Sequence, residues 1–420
     1  MPDSAPEDTA RTTDGPGPAS RRPFVLAPFR GLHYDPARVG DLGTVISPPY
    51  DVLDAETVRD LENGNRRNIV RLILSRRFER PYLAVRRRLE SWRAKGYLVA
   101  DDQPGLYLYQ YTVDGTTVRG LIGLVALRED EERVVLPHEG VMEAPVEDRT
   151  VLMRTTETNL EPILLVHEGS QRLRESLDAV TAATPDCDFV ALDGSRHVLW
   201  NVTANDVLHD LAVELAPAQV LIADGHHRYA AYQRLQAELR DPASPPDSSP
   251  WDFGLAMLVD QHDYPMTVGP IHRTISALTL SDVADLAEER GDRLVGVADR
   301  ESAFSQAGVT DPDRAAFALS DGRTWAVLST SRSHEVDAAV LHEDLLPSWH
   351  VAEGQVGYHH SIDQALHTVA RQPGVVVAVQ PPDLRQVMES SSRGIRMPRK
   401  STSFAPKPRV GLVMRDLRDS

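Results

Sequence analysis

The 420-residue chain contains one cysteine, Cys187. Neither an internal disulfide nor a cysteine-rich metal knuckle can form, and this usage fits a reducing cytoplasmic setting. Asp186 and Asp188 flank the thiol and raise its pKa, which argues against a nucleophile. Long apolar runs are also missing. No stretch approaches the roughly 18 residues of a membrane-spanning helix, so no membrane contact is expected. Residues 1–22 lack the apolar core of a secretion signal and read as a disordered leader. Positive charge is scarce: 45 Lys and Arg stand against 62 Asp and Glu, a net charge of -17. That balance repels nucleic acid and anionic membrane, so any anion site must be local. The Gly-rich P-loop, the GxSxG elbow and the HExxH helix are absent, which excludes the Walker ATPases, α/β-hydrolases and zincins they define.

An ordinary core is present, with 41% hydrophobic and 25% charged residues. Alternation and turn signals predict strands at Thr44–Ile46 and Asn68–Leu74. A helix is predicted over 55–64, capped by Asp54, and another over 81–95. Hairpins turn at Asp114-Gly115 and Asp193-Gly194. A helix follows Thr203, with Thr203 or Asn205 as its cap. The buried strand Gln219–Ala223 then turns at Asp224-Gly225 into a helix from His227 to Arg240. Helices and strands are mixed and hairpins recur. An α/β (α+β) fold with mixed, partly antiparallel sheets follows. Five stretches are expected: the leader 1–22, an N-terminal α/β subdomain 23–135, a central subdomain 136–274, a C-terminal α/β subdomain 275–390, and a basic tail 391–420. From Arg393 to Arg418 eight basic residues face one acid, Asp416, so the tail either is solvated or folds back onto an anion.

Four constellations can carry chemistry. In Asp224-Gly225-His226-His227-Arg228 a glycine turn opens a helix whose free N–H groups suit a phosphate, with Arg228 able to grip two oxygens. Crowding cationic donors at a helix start is unfavourable unless an anion binds there. In Pro137-His138-Glu139, followed by Glu147-Asp148-Arg149, Glu139 is the better candidate base. Ser47-Pro48-Pro49-Tyr50-Asp51-Val52 is a rigid loop at a strand end, a platform for substrate contacts. Lys400-Ser401-Thr402 presents a cation and two hydroxyls suited to phosphate or Mg²⁺.

Together with Pro28-Phe29-Arg30-Gly31 and Asn159-Leu160-Glu161-Pro162-Ile163, these motifs resemble, in order, the prokaryotic family called domain of unknown function 1015. The Asp-Gly-His-His-Arg element is also similar to that of free-serine kinases of the ParB/sulfiredoxin-like class. This resemblance implies a ParB/sulfiredoxin-like element around the segment, with His226, His227 and Arg228 on nucleotide phosphates and Glu139 as base.

The expected function is a small-molecule kinase. It would move a phosphoryl group from ATP or ADP to a free hydroxy amino acid, serine first. The expected catalytic residues are Glu139, His226, His227 and Asp224. Gly225, His226, His227, Arg228, Lys400, Ser401 and Thr402 would bind phosphate. Tyr50, Asp51, Arg149 and His138 would bind substrate, and Asp148 and Asp224 would hold Mg²⁺. A phosphoester hydrolase and a non-catalytic nucleotide-binding regulator are the rivals. No nucleic-acid partner is expected, and the sequence leaves the oligomeric state open.

Overall fold

The computed structural model describes residues 21–74, 81–276, 278–309 and 311–419. Of the leader expected over 1–22, residues 1–20 lie outside the described residues. Arg21 reaches the Ala218 carbonyl and Arg22 pairs with Glu132.

The Asp114-Gly115 hairpin forms as expected between strands Leu106–Val113 and Thr116–Ala126. Both turn residues have positive φ (49° and 81°), the geometry whose twist matches paired strands. This hairpin is the centre of a nine-stranded sheet. Its order is Val135–Leu136, Val220–Asp224, Ile163–His167, Phe253–Asp260, Thr116–Ala126, Leu106–Val113, Arg196–Val202, Cys187–Val190, with Leu26–Ala27 added beside Thr116–Ala126. Strands from residues 23–135 and from 136–274 thus share one sheet. Val135–Leu136 with Val220–Asp224, and Ile163–His167 with Phe253–Asp260, pair in parallel; the other described pairs of this sheet are antiparallel.

Both faces of the sheet are apolar, and each has its own cover. Helices Gln171–Thr181, Asn205–Leu215 and His226–Leu239 contribute Leu173, Leu211, Tyr229 and Leu235 to one core. The other core takes Met397, Phe404, Leu412 and Val413 from the C-terminal segment. That segment is no solvated tail. Thr402–Ala405 pairs with Thr267–Pro270, Val410 bridges Ser47, and Met414–Asp416 pairs with Gly31–Tyr34 and Thr158–Asn159. A separate six-stranded antiparallel sheet, built from strands between His272–Ile275 and Val375–Ala378, carries a core on each face, and a further core forms around Leu32, Leu72, Trp92 and Met414. The whole is a mixed, mostly antiparallel α+β fold, as the alternation of elements implies. Among the described residues no helix is long and apolar enough to cross a membrane.

Three local expectations are corrected. The stretch expected as a strand at Asn68–Leu74 holds the helix Val70–Ile73. The fully buried Asn68 side chain accepts from Val70 N–H at 3.0 Å and donates to the Thr44 and Ile46 carbonyls. A short apolar run fits a buried strand or a buried helix equally well, and here a polar side chain decides. Thr44–Ile46 likewise forms no strand. Asp41 caps a short 3₁₀ turn, Leu42–Thr44, and only Ser47 reaches a bridge. The helix Asn205–Leu215 starts at Ala204 without a side-chain cap.

Candidate active site

The site begins where strand Val220–Asp224 ends. Gly225 takes φ 96°, the left-handed region open to glycine, and the helix His226–Leu239 starts at the next residue. A Cβ at Gly225 would lie 2.9 Å from Ile163 Cγ2 and 3.1 Å from Arg228 Nε, so the turn has no room for one. Among the described residues, the backbone N–H groups of His226, His227 and Arg228 find no acceptor. They carry the positive end of the helix dipole.

A cavity of about 40 Å³ opens on this turn. That is room for roughly three water-sized groups. Its walls include Tyr50, Asp51, Glu139, Asp224 to Arg228, His360, Lys400, Thr402 and Lys407. A larger cleft of about 700 Å³ lies elsewhere, between Arg22, Glu131, Arg240 and Asp247. There Arg22 is paired with Glu132 and Arg240 with Asp252.

Lys407 is the hub of the small cavity. Its ammonium lies 2.6 Å from Asp51 Oδ2 and also donates to Asp224 Oδ1. Burial works against this charge, but Asp224 and Asp51 together push the Lys407 pKa well above that of an ordinary lysine. Asp51 responds in the opposite sense. Burial would raise it, but Lys407, then Lys400, hold it well below the usual carboxylate range. Its second oxygen, Oδ1, is buried with no hydrogen-bond partner. Arg228 is fully buried, donating to the Pro162 carbonyl and to Asp224 Oδ2. Despite burial, Asp224 and Glu161 raise its pKa, so it stays charged. Among the described residues the Lys400 ammonium enters no ion pair within 4.0 Å.

Glu139 has a different character. Its oxygens accept from the backbone N–H groups of Lys400 (2.9 Å), Ser401 (2.9 Å) and Thr402 (2.6 Å), and from Thr402 Oγ1 (2.7 Å). Because Thr402 Oγ1 donates to Glu139, it accepts from His138 Nε2–H at 2.7 Å. Burial opposes ionisation, but the hydrogen bond and charge of His138 outweigh it and hold Glu139 well below the carboxylate range. The Ser401 hydroxyl donates to the Pro398 carbonyl at 2.5 Å. Both hydroxyls expected on phosphate are thus engaged within the protein.

The histidines are engaged too. His226 Nε2 accepts from His138 N–H at 3.3 Å, and its ring meets His138 edge-on at 4.6 Å. His227 Nε2 accepts from Met142 N–H at 3.0 Å. Burial pushes His226 well below its ordinary pKa, and burial followed by the Lys400 charge pushes His227 down to about 4. Both rings are neutral near pH 7. His197, His272 and His342 are likewise pushed to about 4, first by burial. In the unfolded chain such groups take up protons near 6.5, whereas in the folded one they resist to about 4. Stability is therefore expected to fall as pH drops from 6.5 to 4 and to level off below that window as far as these groups decide it. Urea titrations across a pH series measure this, and a flat profile from 6.5 to 4 contradicts it.

Two expected metal ligands do not fit a resident Mg²⁺. Asp224 is occupied on both oxygens by Lys407 and Arg228. Asp148 pairs with Arg149 and accepts from Tyr82 OH at 2.7 Å, in a separate small cavity. Among the described residues no group of three or more His, Cys, Asp or Glu is arranged to hold a metal ion. Arg149 supports the pocket wall, its guanidinium 4.4 Å from the Tyr50 ring centre and 3.6 Å from Glu161. Burial raises both Glu161 and Tyr50, the latter to about 12.

The family model described as "Protein of unknown function (DUF1015)" matches residues 26–347. The chain belongs to this family. In DUF1015 terms the match ends before the segment that supplies Lys400 and Lys407. No curated protein matches the chain in sequence. Solved structures with some likeness include a free serine kinase in complex with AMP (15% identity, 69% of this chain and 88% of that one, TM-score 0.38). A conserved hypothetical protein from Pyrococcus furiosus also resembles it (15%, 65% and 87%, TM-score 0.37), as does C-terminally truncated SbnI from Staphylococcus aureus (13%, 70% and 87%, TM-score 0.39). These likenesses are distant and assign no role to any residue of the pocket.

The C-terminal constellation runs on to Pro406-Lys407 in the sequence, but no role for Lys407 is read from it, and His360 is not among the expected site residues. Lys407 had a signal, since Pro406 and Pro408 enclose it and stiffen the backbone on both sides. His360 had none; it arrives from another sheet and meets Ser403 Oγ at 3.0 Å. Cys187 lies outside this pocket, and burial with Asp186 and Asp188 pushes its thiol to about 12.

Proposed function

We propose that this pocket transfers a phosphoryl group from ATP or ADP to the hydroxyl of a small free amino acid. The observation that carries the reading is the convergence, on one small cavity, of a helix start with three unpaired N–H groups and the cations Lys400 and Lys407. Phosphoryl transfer asks for this kind of preorganised positive field and little covalent chemistry. The volume of about 40 Å³ suits a phosphoryl group and a hydroxymethyl acceptor, with the nucleoside held outside. Serine is the first acceptor to test, because Asp224-Gly225-His226-His227-Arg228 resembles the element of free-serine kinases.

In this reading the transferred phosphoryl oxygens lie against the N–H groups of His226, His227 and Arg228 and against Lys400. Lys407 holds Asp51 in place and adds its charge to the cavity that takes the phosphates. The acceptor hydroxyl donates to the unpartnered Asp51 Oδ1. As the new O–P bond forms, the bond from phosphorus to the departing nucleotide oxygen breaks, and the hydroxyl proton passes to Asp51. The base role thus moves from Glu139, whose carboxylate already accepts four hydrogen bonds from Lys400 to Thr402, to Asp51. A nucleotide can bring Mg²⁺ with it to shield its phosphate charge.

A ³¹P NMR assay with ATP, ADP or pyrophosphate and a mixture of hydroxy amino acids tests this. The expected product is a phosphomonoester that requires donor and acceptor together. Asp51→Asn is expected to lower kcat by about 10²–10⁴-fold while donor binding persists. Inorganic phosphate formed without acceptor would replace the kinase with a hydrolase. Nucleotide binding with no product would replace it with a regulator.

A further inference from the structure

Lys407 reaches the pocket from residues 406–409, a stretch in neither helix nor strand. Its position therefore depends on what holds its neighbours. Two tyrosines of strand Leu106–Val113 do so. Tyr111 OH donates to the Pro406 carbonyl at 2.7 Å, and Tyr109 OH accepts from Arg409 N–H at 3.4 Å. They stand two residues apart, so their rings share one face of the sheet. Both are fully buried and stack with ring centres 5.1 Å apart.

The contact continues away from the pocket, and its proton order follows from chemistry. The Asp193 carboxylate only accepts, so Ser195 Oγ donates to it at 2.6 Å. Ser195 Oγ must then accept from His197 Nε2–H at 2.8 Å. His197 is neutral, pushed to about 4 by burial and then by Arg409, so its Nδ1 is bare. Tyr109 OH therefore donates to Nδ1 at 2.8 Å, which leaves the tyrosine oxygen free to accept from Arg409 N–H. The Arg409 side chain closes the loop by pairing with Asp193. The hydroxyl, imidazole and backbone donors from Ser195 to Arg409 N–H each have one acceptor, which fixes the backbone at Arg409.

We propose that Tyr109, Tyr111 and His197 are positioning residues that set the Lys407 ammonium between Asp51 and Asp224 by fixing the backbone on both sides of it. Its consequence for nucleotide binding rests on the phosphoryl-transfer reading; its consequence for Lys407 itself does not.

Tyr111→Phe keeps the ring and removes only the hydroxyl, and two readouts follow it in the full chain. The first is the Lys407 ammonium in lysine ¹⁵N NMR, assigned by its loss in Lys407→Met. The second is nucleotide affinity by calorimetry, in the native and Lys407→Met backgrounds. In the native background Tyr111→Phe is expected to shift the Lys407 signal and lower its pKa toward the ordinary value. It is also expected to weaken nucleotide binding about tenfold, with no further loss in the Lys407→Met background, since the tyrosine acts through the lysine. An unmoved Lys407 signal, or an equal loss in both backgrounds, overturns the proposal. If Lys407→Met binds nucleotide as the native chain does, the phosphoryl-transfer reading fails while the NMR result still decides the positioning. Should Tyr111→Phe not fold, Tyr109→Phe is read the same way.

Discussion

Lys407→Met is expected to destabilise the chain by about 3–5 kcal/mol, the range for removing one partner of a buried ion pair, and to weaken nucleotide binding by about 100-fold, within the range for losing one partner of a buried charge pair where a ligand binds. The lysine separates two carboxylates on the wall of a cavity of about 40 Å³. One oxygen of Asp51 and one of Asp224 point at the same ammonium. Methionine fills much of the volume but supplies no charge, so two anions then face one gap. One of them must take up a proton, and Asp51 is the candidate, because Lys407 is the largest influence holding its pKa down against burial. Adding Asp51→Asn to Lys407→Met should restore much of the lost stability, since Asp224 keeps Arg228. It should not restore nucleotide binding. Urea unfolding and calorimetry on the two variants check this. Native stability in Lys407→Met alone would mean that the lysine does not bridge the two acids.

Replacing Glu139 should act on the fold before it acts on catalysis. The carboxylate gathers three consecutive backbone N–H groups and one hydroxyl from Lys400 to Thr402. Lys400 sits at φ 58°, a left-handed conformation that a side chain adopts only when its surroundings impose it. Glu139→Ala strands these donors in the interior at about 1–3 kcal/mol each where water cannot replace the acceptor, so a total near 4–5 kcal/mol is expected, at the top of the range for single substitutions. Glu139→Gln keeps the shape but turns a donor toward one of the N–H groups, and an intermediate loss is expected. The pH dependence carries a sign as well. The folded pKa of Glu139 is depressed, so its contribution is present above the unfolded carboxylate range and is lost as pH falls through the lower folded value. If Glu139 were instead the general base, Glu139→Gln would keep native stability and lose only turnover. Comparing unfolding midpoints with kcat for both substitutions separates the two roles.

Much of this was legible in the residues. Asp114-Gly115 located the central hairpin, because few dipeptides adopt positive φ twice in succession. The buried run ending at Ala223, followed by Asp-Gly and two histidines, located the strand, turn and helix start. Asn68–Leu74 was illegible for an equally physical reason. Its helix depends on a carboxamide contact with carbonyls more than 20 positions earlier, and periodicity does not register such a contact. The protonation of the histidines was hidden as well. Adjacent histidines and an arginine look like a cluster of cations, but burial and two backbone donors keep both rings neutral.

The sequence by itself determined most element types, the shortage of positive charge, and the turn where a helix start could meet an anion. These are local or additive properties, set by φ preference, spacing and composition. Only the tertiary structure decided which charges meet. Lys407 lies 183 positions from Asp224 and 356 from Asp51, and Glu139 lies 261 from Lys400. Those pairs form because the C-terminal segment covers the second apolar face of the sheet. The core draws the segment back for its Met397, Phe404 and Leu412, and its lysines come with it.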